Sequence, residues 1–498
     1  VPDHPGRTGT VHFAPGPAAG DPMAWWLSIR VDRLRGGPLT VQIHDAIRRD
    51  VVEGVLHPGA RLPSSRQLAT DLGVSRSVVV EAYDRLIAEG YLDAVRGSGT
   101  RVARHLPQAP TVSPPPDIPT DPPLDGGVRL DLRPCAGIGV DFPHRDWLTA
   151  YQRAVRAVGR TDLDRPLLVG APGLRAELAS YLGRTAGARV EPAGTVVTAG
   201  YPAALRLLAT ALRRLGHGTV AVEDPCDPWH RRILAGAGLR TYALPVDRYG
   251  ADARALAGSD VRAVLVNPGH HFPTGVTMSE ERRARLLRWA QETDGWVIEL
   301  DRDGDLWLET GRRPLALQRA DPLRVAYAGT ASGVLGPSLR LGWMCVPPGL
   351  LPAVRQVGAE WDFAADNLTQ LAFAEFLGSG LFDRHTRRTR DRWRARRTAL
   401  RQAVHRHLPQ ARLLGTAGPN VYLRLPGHVD EASLVTAARW RGVSVLGARH
   451  FAFRRPPEAP ALVVGYAGLP RSGLFEAMRA IEEALREQPG AAPLRRTA

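Results

Sequence analysis

Leu62-Pro63-Ser64-Ser65-Arg66-Gln67-Leu68-Ala69-Thr70-Asp71-Leu72-Gly73-Val74-Ser75-Arg76-Ser77-Val78-Val79-Val80-Glu81-Ala82-Tyr83-Asp84-Arg85-Leu86 reads as two short helices with a break between them. Ser64 with Gln67 three residues on makes a capping box, Leu68, Ala69 and Leu72 give the first helix an apolar edge, and Gly73 stops it. Ser75 is expected to cap the second helix, in which Val79, Ala82, Tyr83 and Leu86 fall on one face and leave Arg76, Ser77 and Val80 near the exposed amino-terminal end. This spacing predicts a helix-turn-helix. After Gly90, two extended runs meet at Gly97-Ser98-Gly99, a hairpin flanked by Arg96 and Arg101 whose tip suits a minor groove or a phosphate.

With a further helix at Leu39 to Glu53 in front, the order helix, helix, wing resembles the winged helix-turn-helix domain of the GntR family. The resemblance implies a double-stranded DNA operator as partner. It gives Arg66, Ser75, Arg76 and Ser77 contacts to phosphates and major-groove base edges, and it makes Arg96, Gly97, Ser98, Gly99 and Thr100 the wing.

The 498 residues exceed one ordinary domain, and 44% apolar residues supply a core. A formal charge of +15 favours a polyanionic partner. The chain contains no lysine, so all 65 basic residues are arginine. Cys135, Cys226 and Cys345 sit in no metal-ligand or disulfide-framework spacing, which fits a reducing cytoplasm, and no metal site is expected. No apolar run reaches the length of a membrane span, and the N-terminal stretch lacks a signal-peptide apolar segment, so no membrane partner is expected.

Residues 1–22 read as a disordered leader, 23–104 as the winged domain and 105–128, where Ser113-Pro114-Pro115-Pro116 and Asp121-Pro122-Pro123 crowd together, as an extended linker. Beyond it, Thr195-Val196-Val197-Thr198, Thr219-Val220-Ala221-Val222, Ala263-Val264-Leu265-Val266, Trp296-Val297-Ile298 and Val325-Ala326-Tyr327 alternate with helical patterns such as Ala203 to Leu215 and Glu280 to Gln291. Such alternation predicts an α/β domain over 129–350 with a mainly parallel sheet and ligands at the carboxyl ends of its strands. Helices and a smaller α/β subdomain are expected over 351–488, then a tail at 489–498. The basic run from Arg384 to Arg397 could touch DNA, but the commoner arrangement is the solvated face of a long helix.

Pro172-Gly173-Leu174-Arg175, Glu223-Asp224-Pro225, Asn267-Pro268-Gly269-His270-His271-Phe272-Pro273-Thr274-Gly275 and Gly336-Pro337-Ser338-Leu339-Arg340-Leu341-Gly342, in that order, resemble a fold-type I aminotransferase domain of the pyridoxal-phosphate (PLP) class. Fused to a GntR winged helix, this is the layout of the MocR subfamily of transcriptional regulators. The resemblance implies a head-to-tail homodimer that senses PLP or its adduct with an amino compound.

Position by position, the resemblance breaks at the cofactor. The PLP-lysine position is Gly333, within Ser332-Gly333-Val334-Leu335, and arginine, which stays protonated, cannot replace an imine-forming amine. In Glu299-Leu300-Asp301-Arg302-Asp303 the pyridine-nitrogen aspartate falls on Leu300 and the ring-oxygen tyrosine on Arg302. Leu168 stands for the tyrosine expected to reach a neighbouring subunit's phosphate, and Asp227 for the ring-stacking aromatic. The phosphate turn reads Ala199-Gly200-Tyr201-Pro202-Ala203, in which Pro202 removes one N–H. A substrate-clamping arginine is missing near Ala459 to Gly465. Thr330, Ser332, Arg340, Asn267, His270 and His271 survive as an effector or vestigial cofactor-binding set. Arg340 could hold an anion beside a hydroxyl, or pair with Asp301 or Asp303, and the two histidines are expected as loop or core residues. The expectation is a cytoplasmic, dimeric, sequence-specific DNA-binding regulator without covalent PLP, its aminotransferase-like domain serving dimerisation and binding of an unknown small-molecule effector. Non-covalent PLP or another anion is the candidate ligand. The alternatives are a non-covalent PLP sensor and a PLP-dependent aminotransferase.

Overall fold

The computed structural model describes residues 9–12, 28–31, 37–95, 99–104, 127–159, 163–164, 166–361, 363–415 and 417–488. The expected linker, apart from residues 127 and 128, the expected tail, and Arg96, Gly97 and Ser98 of the wing tip lie outside them. The chain divides into two compact units, Val1–Asp121 and Pro122–Ala498.

In the first unit, β1 (Gly9–His12) pairs antiparallel with β2 (Ser28–Val31). Part of the stretch expected as a disordered leader is therefore a strand: the backbone of Gly9–His12 finds a partner in a segment whose Ile29 and Val31 enter the core. Helices α1 (Leu39–Val52), α2 (Ser65–Leu72) and α3 (Arg76–Ala88) follow. Ile43, Ile47 and Val51 of α1 meet Leu68 of α2 and Val79, Ala82 and Leu86 of α3, each chosen by helical spacing. The Ser64 hydroxyl accepts from the Gln67 N–H at 3.2 Å, but the Gln67 side chain turns to Asp71 at 2.9 Å, so only half of the capping box forms. Gly73 takes the left-handed conformation, φ 61°, that ends α2. Ser75 holds the N-cap position of α3 without a side-chain cap, because its hydroxyl bonds that of Ser77 at 2.9 Å. Strands β3 (Leu92–Val95) and β4 (Gly99–Val102) pair antiparallel from Leu92↔Val102 to Val95↔Gly99.

The second unit starts with β5 (Leu130–Asp131), α4 (His144–Ala157) and α5 (Pro172–Thr185). Its main sheet contains β6 (Thr195–Thr198), β7 (Thr219–Asp224), β8 (Arg240–Asp247), β9 (Gly250–Ala251), β10 (Ala263–Val266), β11 (Trp296–Asp301), β12 (Val325–Thr330) and β13 (Gly342–Cys345). Their order is β6-β13-β12-β11-β10-β7-β8-β9. The run from β12 through β11, β10 and β7 to β8 is parallel, whereas β13 is antiparallel to both β12 and β6. Alternate residues serve opposite faces: Val264, Val297 and Val325 pack with Leu286 and Trp289, while Leu265, Ile298 and Ala326 pack with Leu205 and Leu208. The helices supplying those faces are α6 (Tyr201–Arg214), α7 (Pro228–Gly236) and α8 (Glu280–Glu292).

After the short α9 (Ser332–Leu335), the chain continues as α10 (Leu351–Trp361), α11 (Asn367–Gly378) and α12 (Leu381–His407). A four-stranded sheet of β14 (Arg412–Leu414), β15 (Asn420–Arg424), β17 (Leu446–Gly447) and β18 (Ala461–Gly465) follows, with β16 (Val443–Ser444) returning to pair with β5. Helices α13 (Glu431–Trp440) and α14 (Arg471–Arg486) complete the subdomain. Two features tie it together. Asp224, at the end of β7, accepts the N–H groups of Phe453, Arg454 and Arg455 at 2.9, 3.0 and 3.2 Å, joining the main sheet to the smaller subdomain. The basic run on α12 also differs from a merely solvated face: Arg396 and Arg392 pair with Asp141 at 2.6 and 3.2 Å, and Arg397 with Glu309 at 2.8 Å. Acidic residues on neighbouring loops recruit these arginines, which alternation along the helix alone could not reveal.

Candidate functional site

In the first unit, Arg66, Ser75, Arg76 and Ser77 are all exposed. Their backbones are set by the buried side of α2 and α3, so the polar side chains emerge where the two helices meet. The Arg76 Nε reaches the Ser65 hydroxyl at 3.4 Å, which brings the start of α3 against the start of α2. Arg66 has no ion-pair partner among the described residues, and its guanidinium faces solvent. On the wing, Thr100 and Gly99 follow the undescribed tip, and Gly99 has φ +85°. One residue unforeseen from the sequence joins them: Arg61 forms a bridge with Arg101, and its guanidinium lies 3.4 Å from where a Cβ on Gly99 would stand. No motif flagged it, because it precedes the helix pair and reaches the wing only through tertiary pairing.

In the second unit, segments following β6, β7, β10, β11 and β12 converge on a crevice at the carboxyl edge of the sheet, the usual ligand position of an open α/β fold. Arg302, just after β11, dominates it. Its guanidinium lies 5.2 Å from the Tyr201 ring centroid and 5.1 Å from that of Phe272. It pairs with Asp227 at 3.3 Å and donates to the Cys135 sulfur at 3.1 Å. Gly333 sits beside it: a Cβ there would stand 2.9 Å from the Arg302 carbonyl oxygen. Leu300 is buried among the apolar residues behind the sheet. The late strand β18 presents Val463 to Phe272 and Phe451, whose rings meet edge to face at 5.1 Å.

The surviving set divides. Asn267 and His270 line a small cleft with Asp303 and Trp307 that has space for about 20 Å³, a single water. There the His270 Nδ1, Asp303 Oδ2 and Trp307 Nε1 are buried without hydrogen-bond partners. His270 and Asp303 approach to 3.8 Å, beyond hydrogen-bond reach. Burial works to raise the Asp303 carboxyl, and the neighbouring His270 and Arg302 outweigh it, holding it below its ordinary range. His271 turns the other way: its Nδ1 accepts from the Thr274 hydroxyl at 2.7 Å and its Nε2–H donates to the Pro225 carbonyl at 3.0 Å, a neutral tautomer with both nitrogens satisfied. Burial lowers its pKa to about 3. Its 3.6 Å approach to Glu223 is therefore not an ion pair; burial pushes that carboxyl up to about 8 against the Asn267 N–H it accepts.

Thr330, Ser332 and Arg340 lie at the other side. The Thr330 hydroxyl is engaged with the Leu341 carbonyl and the Ser332 hydroxyl, each at 2.9 Å. Arg340 is exposed, in a left-handed conformation with φ 52°, and its Nη1 lies 3.6 Å from where a Cβ on Gly200 would stand. It pairs with neither acid considered for it. Asp301 is held by Arg313 at 2.9 Å and by the Tyr327 hydroxyl, and Asp303 faces His270.

Two family models cover the chain: bacterial regulatory proteins of the gntR family over residues 39–102, and aminotransferase class I and II over 141–481. The probable rhizopine catabolism regulatory protein MocR of Rhizobium meliloti is 31% identical over 486 residues, covering 94% of this chain and 98% of that one. The chain belongs to the MocR-type regulators of the gntR family. The HTH-type pyridoxine biosynthesis transcriptional regulator PdxR of Corynebacterium glutamicum is 32% identical over 415 residues, 83% of this chain and 88% of its own. Among solved structures, LysN, an α-aminoadipate aminotransferase of Thermus thermophilus complexed with N-(5'-phosphopyridoxyl)-L-leucine, matches with a TM-score of 0.64 at 25% identity over 73% of this chain and 93% of that one. An archaeal alanine:glyoxylate aminotransferase, TM-score 0.65 at 24% identity over 72% and 91% of the two chains, shares the fold.

The MocR-type fold places Gly333, Leu300 and Arg302 in one crevice, as the aligned motifs required. The sequence did not disclose Cys135 and Phe272 as neighbours of Arg302, since only folding brings them together. No helix among the described residues is long and apolar enough to cross a membrane.

Proposed function

We propose that this MocR-type chain is a cytoplasmic, sequence-specific DNA-binding transcriptional regulator that acts as a homodimer, each copy presenting one winged helix to an operator half-site. The observation that carries the reading is the exposed convergence of Arg66, Ser75, Arg76 and Ser77 at the junction of α2 and α3. The aminotransferase-like domain serves to pair the copies head to tail. Its crevice does not fit PLP bound as an imine: the chain has no lysine, a side chain at Gly333 meets the Arg302 carbonyl, and Leu300 offers no carboxylate. Catalysis of transamination is accordingly absent. Mobility-shift assays on the gene's own upstream region, with wild type and Arg76→Ala, test the DNA-binding half. Unchanged binding by the variant would remove α3 as the reading helix.

A second reading concerns the effector. Arg340 is exposed and without an ion-pair partner among the described residues, beside the amino terminus of α6, an arrangement suited to a small anion, non-covalent PLP included. Equilibrium dialysis with PLP on wild type and Arg340→Ala decides it; saturable binding unaffected by the substitution would discard Arg340 as the ligand contact.

A further inference from the structure

Four strand ends deliver one residue each to a single side chain. Tyr201 opens the helix after β6, Asp227 follows β7, Phe272 lies in the loop after β10, and Arg302 itself follows β11. Its guanidinium has a ring on two sides, at 5.2 and 5.1 Å, a carboxylate at 3.3 Å and a thiol at 3.1 Å. The side chain is 10% exposed. Burying an arginine in this way is costly, and as a device for stability alone a well-packed apolar residue serves better. What these contacts resemble physically is the recognition of a planar guest: aromatic faces for the plane, an acid and a soft acceptor for the N–H edges.

We infer that Arg302 is a tethered occupant of the crevice: its guanidinium fills the ligand position at the carboxyl edge of the sheet, so the domain carries a built-in cation where a separate aromatic cofactor would have to enter. This rests on the reading that the crevice holds no imine-linked PLP, and it extends that reading from a missing lysine to a filled space. An aromatic ring seated between Tyr201 and Phe272 must displace Arg302 and leave Asp227, whose side chain is 15% exposed, without its cation. Anion binding at Arg340 is independent of this, because Arg340 is exposed and touches none of the four residues.

The test is chemical rescue in the full-length chain. Arg302→Ala should lower the melting temperature by about 5–10 °C. Methylguanidinium chloride in the millimolar range should restore a saturable part of that loss, whereas tetramethylammonium chloride at the same concentration should not, and wild type should gain nothing. Arg302→Lys, which keeps the charge but loses the plane, should remain well below wild type. If Arg302→Ala is insoluble, its recovery on refolding is the readout and should depend on methylguanidinium. Melting of Arg302→Ala at the wild-type temperature, or a depressed melting or recovery that methylguanidinium leaves unchanged, overturns the inference. Mobility shifts on the same proteins separate the two readings: rescue without any DNA binding by wild type would keep Arg302 as occupant and discard the operator reading.

Discussion

The Tyr83 hydroxyl donates to the Pro63 carbonyl oxygen at 2.9 Å, pinning the middle of α3 to the residue just before the cap of α2. Tyr83 is 4% exposed, so the bond is shielded from competing water. Tyr83→Phe leaves that carbonyl without its donor and should cost about 1 kcal/mol. Urea denaturation of the full chain, followed through a probe in the first unit, should show a lower midpoint with an unchanged slope.

Arg66 and Arg76 are expected to differ in what their loss does to binding. If Arg66 contacts a phosphate, Arg66→Ala should weaken all DNA sequences alike and reduce the slope of log affinity against log salt by about 1. If Arg76 contacts a base, Arg76→Ala should cost about 1–3 kcal/mol at one operator position and relax preference there. Fluorescence anisotropy across a salt series on matched operator variants distinguishes them. An unchanged salt slope for Arg66→Ala would take it off the phosphate backbone.

How far the sequence carried varies with the range of the interaction. Ser64, Gly73 and the Val79, Ala82, Tyr83, Leu86 stripe act through neighbours within a turn or two, and they were legible. So were β6, β10 and the start of β11, as short β-branched runs buried on both faces. The Gln67 side chain chose Asp71 over Ser64, and the Ser75 hydroxyl chose Ser77, because competing partners one turn away are invisible to a capping pattern. The edge strand β8 escaped notice since its faces alternate less cleanly, with Tyr242 and Val246 only partly buried. At the crevice, the aligned motifs identified what is missing at 300, 302 and 333. They could not show that Cys135, 167 residues away from Arg302, supplies an acceptor to it.

Gly333 is required by a close approach rather than by an unusual backbone angle. Gly333→Ala would press its methyl group to 2.9 Å from the Arg302 carbonyl, backbone that must shift, and should destabilise by about 1–3 kcal/mol. Gly173→Ala is the control: nothing lies within 4 Å of its added carbon, and in helix α5 the change should be neutral or stabilising by up to about 1 kcal/mol. Equal losses for the two would contradict the crowding at 333.

His271 predicts an acid limb of stability. Burial lowers its folded-state pKa to about 3, while the unfolded side chain titrates near 6.5. Below 6.5 the unfolded chain therefore binds the extra proton, and stability falls as pH drops from 6.5 toward 3. At most this amounts to about 1.4 kcal/mol per pH unit. Glu223 and Glu299, which burial raises to about 8 and about 7, work in the opposite sense, favouring the folded state as pH falls toward their ordinary values. The comparison that isolates the histidine is wild type against His271→Gln, melted between pH 4 and 7. The variant should show the shallower acid decline, and parallel curves would remove His271 as its source.

The clamp of Asp224 on three successive N–H groups at 453–455 has a mechanical meaning. Beside it, Gly275 and Gly415 pass so close that neither position can accept a side chain without moving the other backbone. An enzyme of this fold that opens and shuts around a substrate needs slack between its halves. Here the seam is riveted by a carboxylate and machined flush by two glycines, so this half of the chain behaves as a rigid gauge block rather than a jaw.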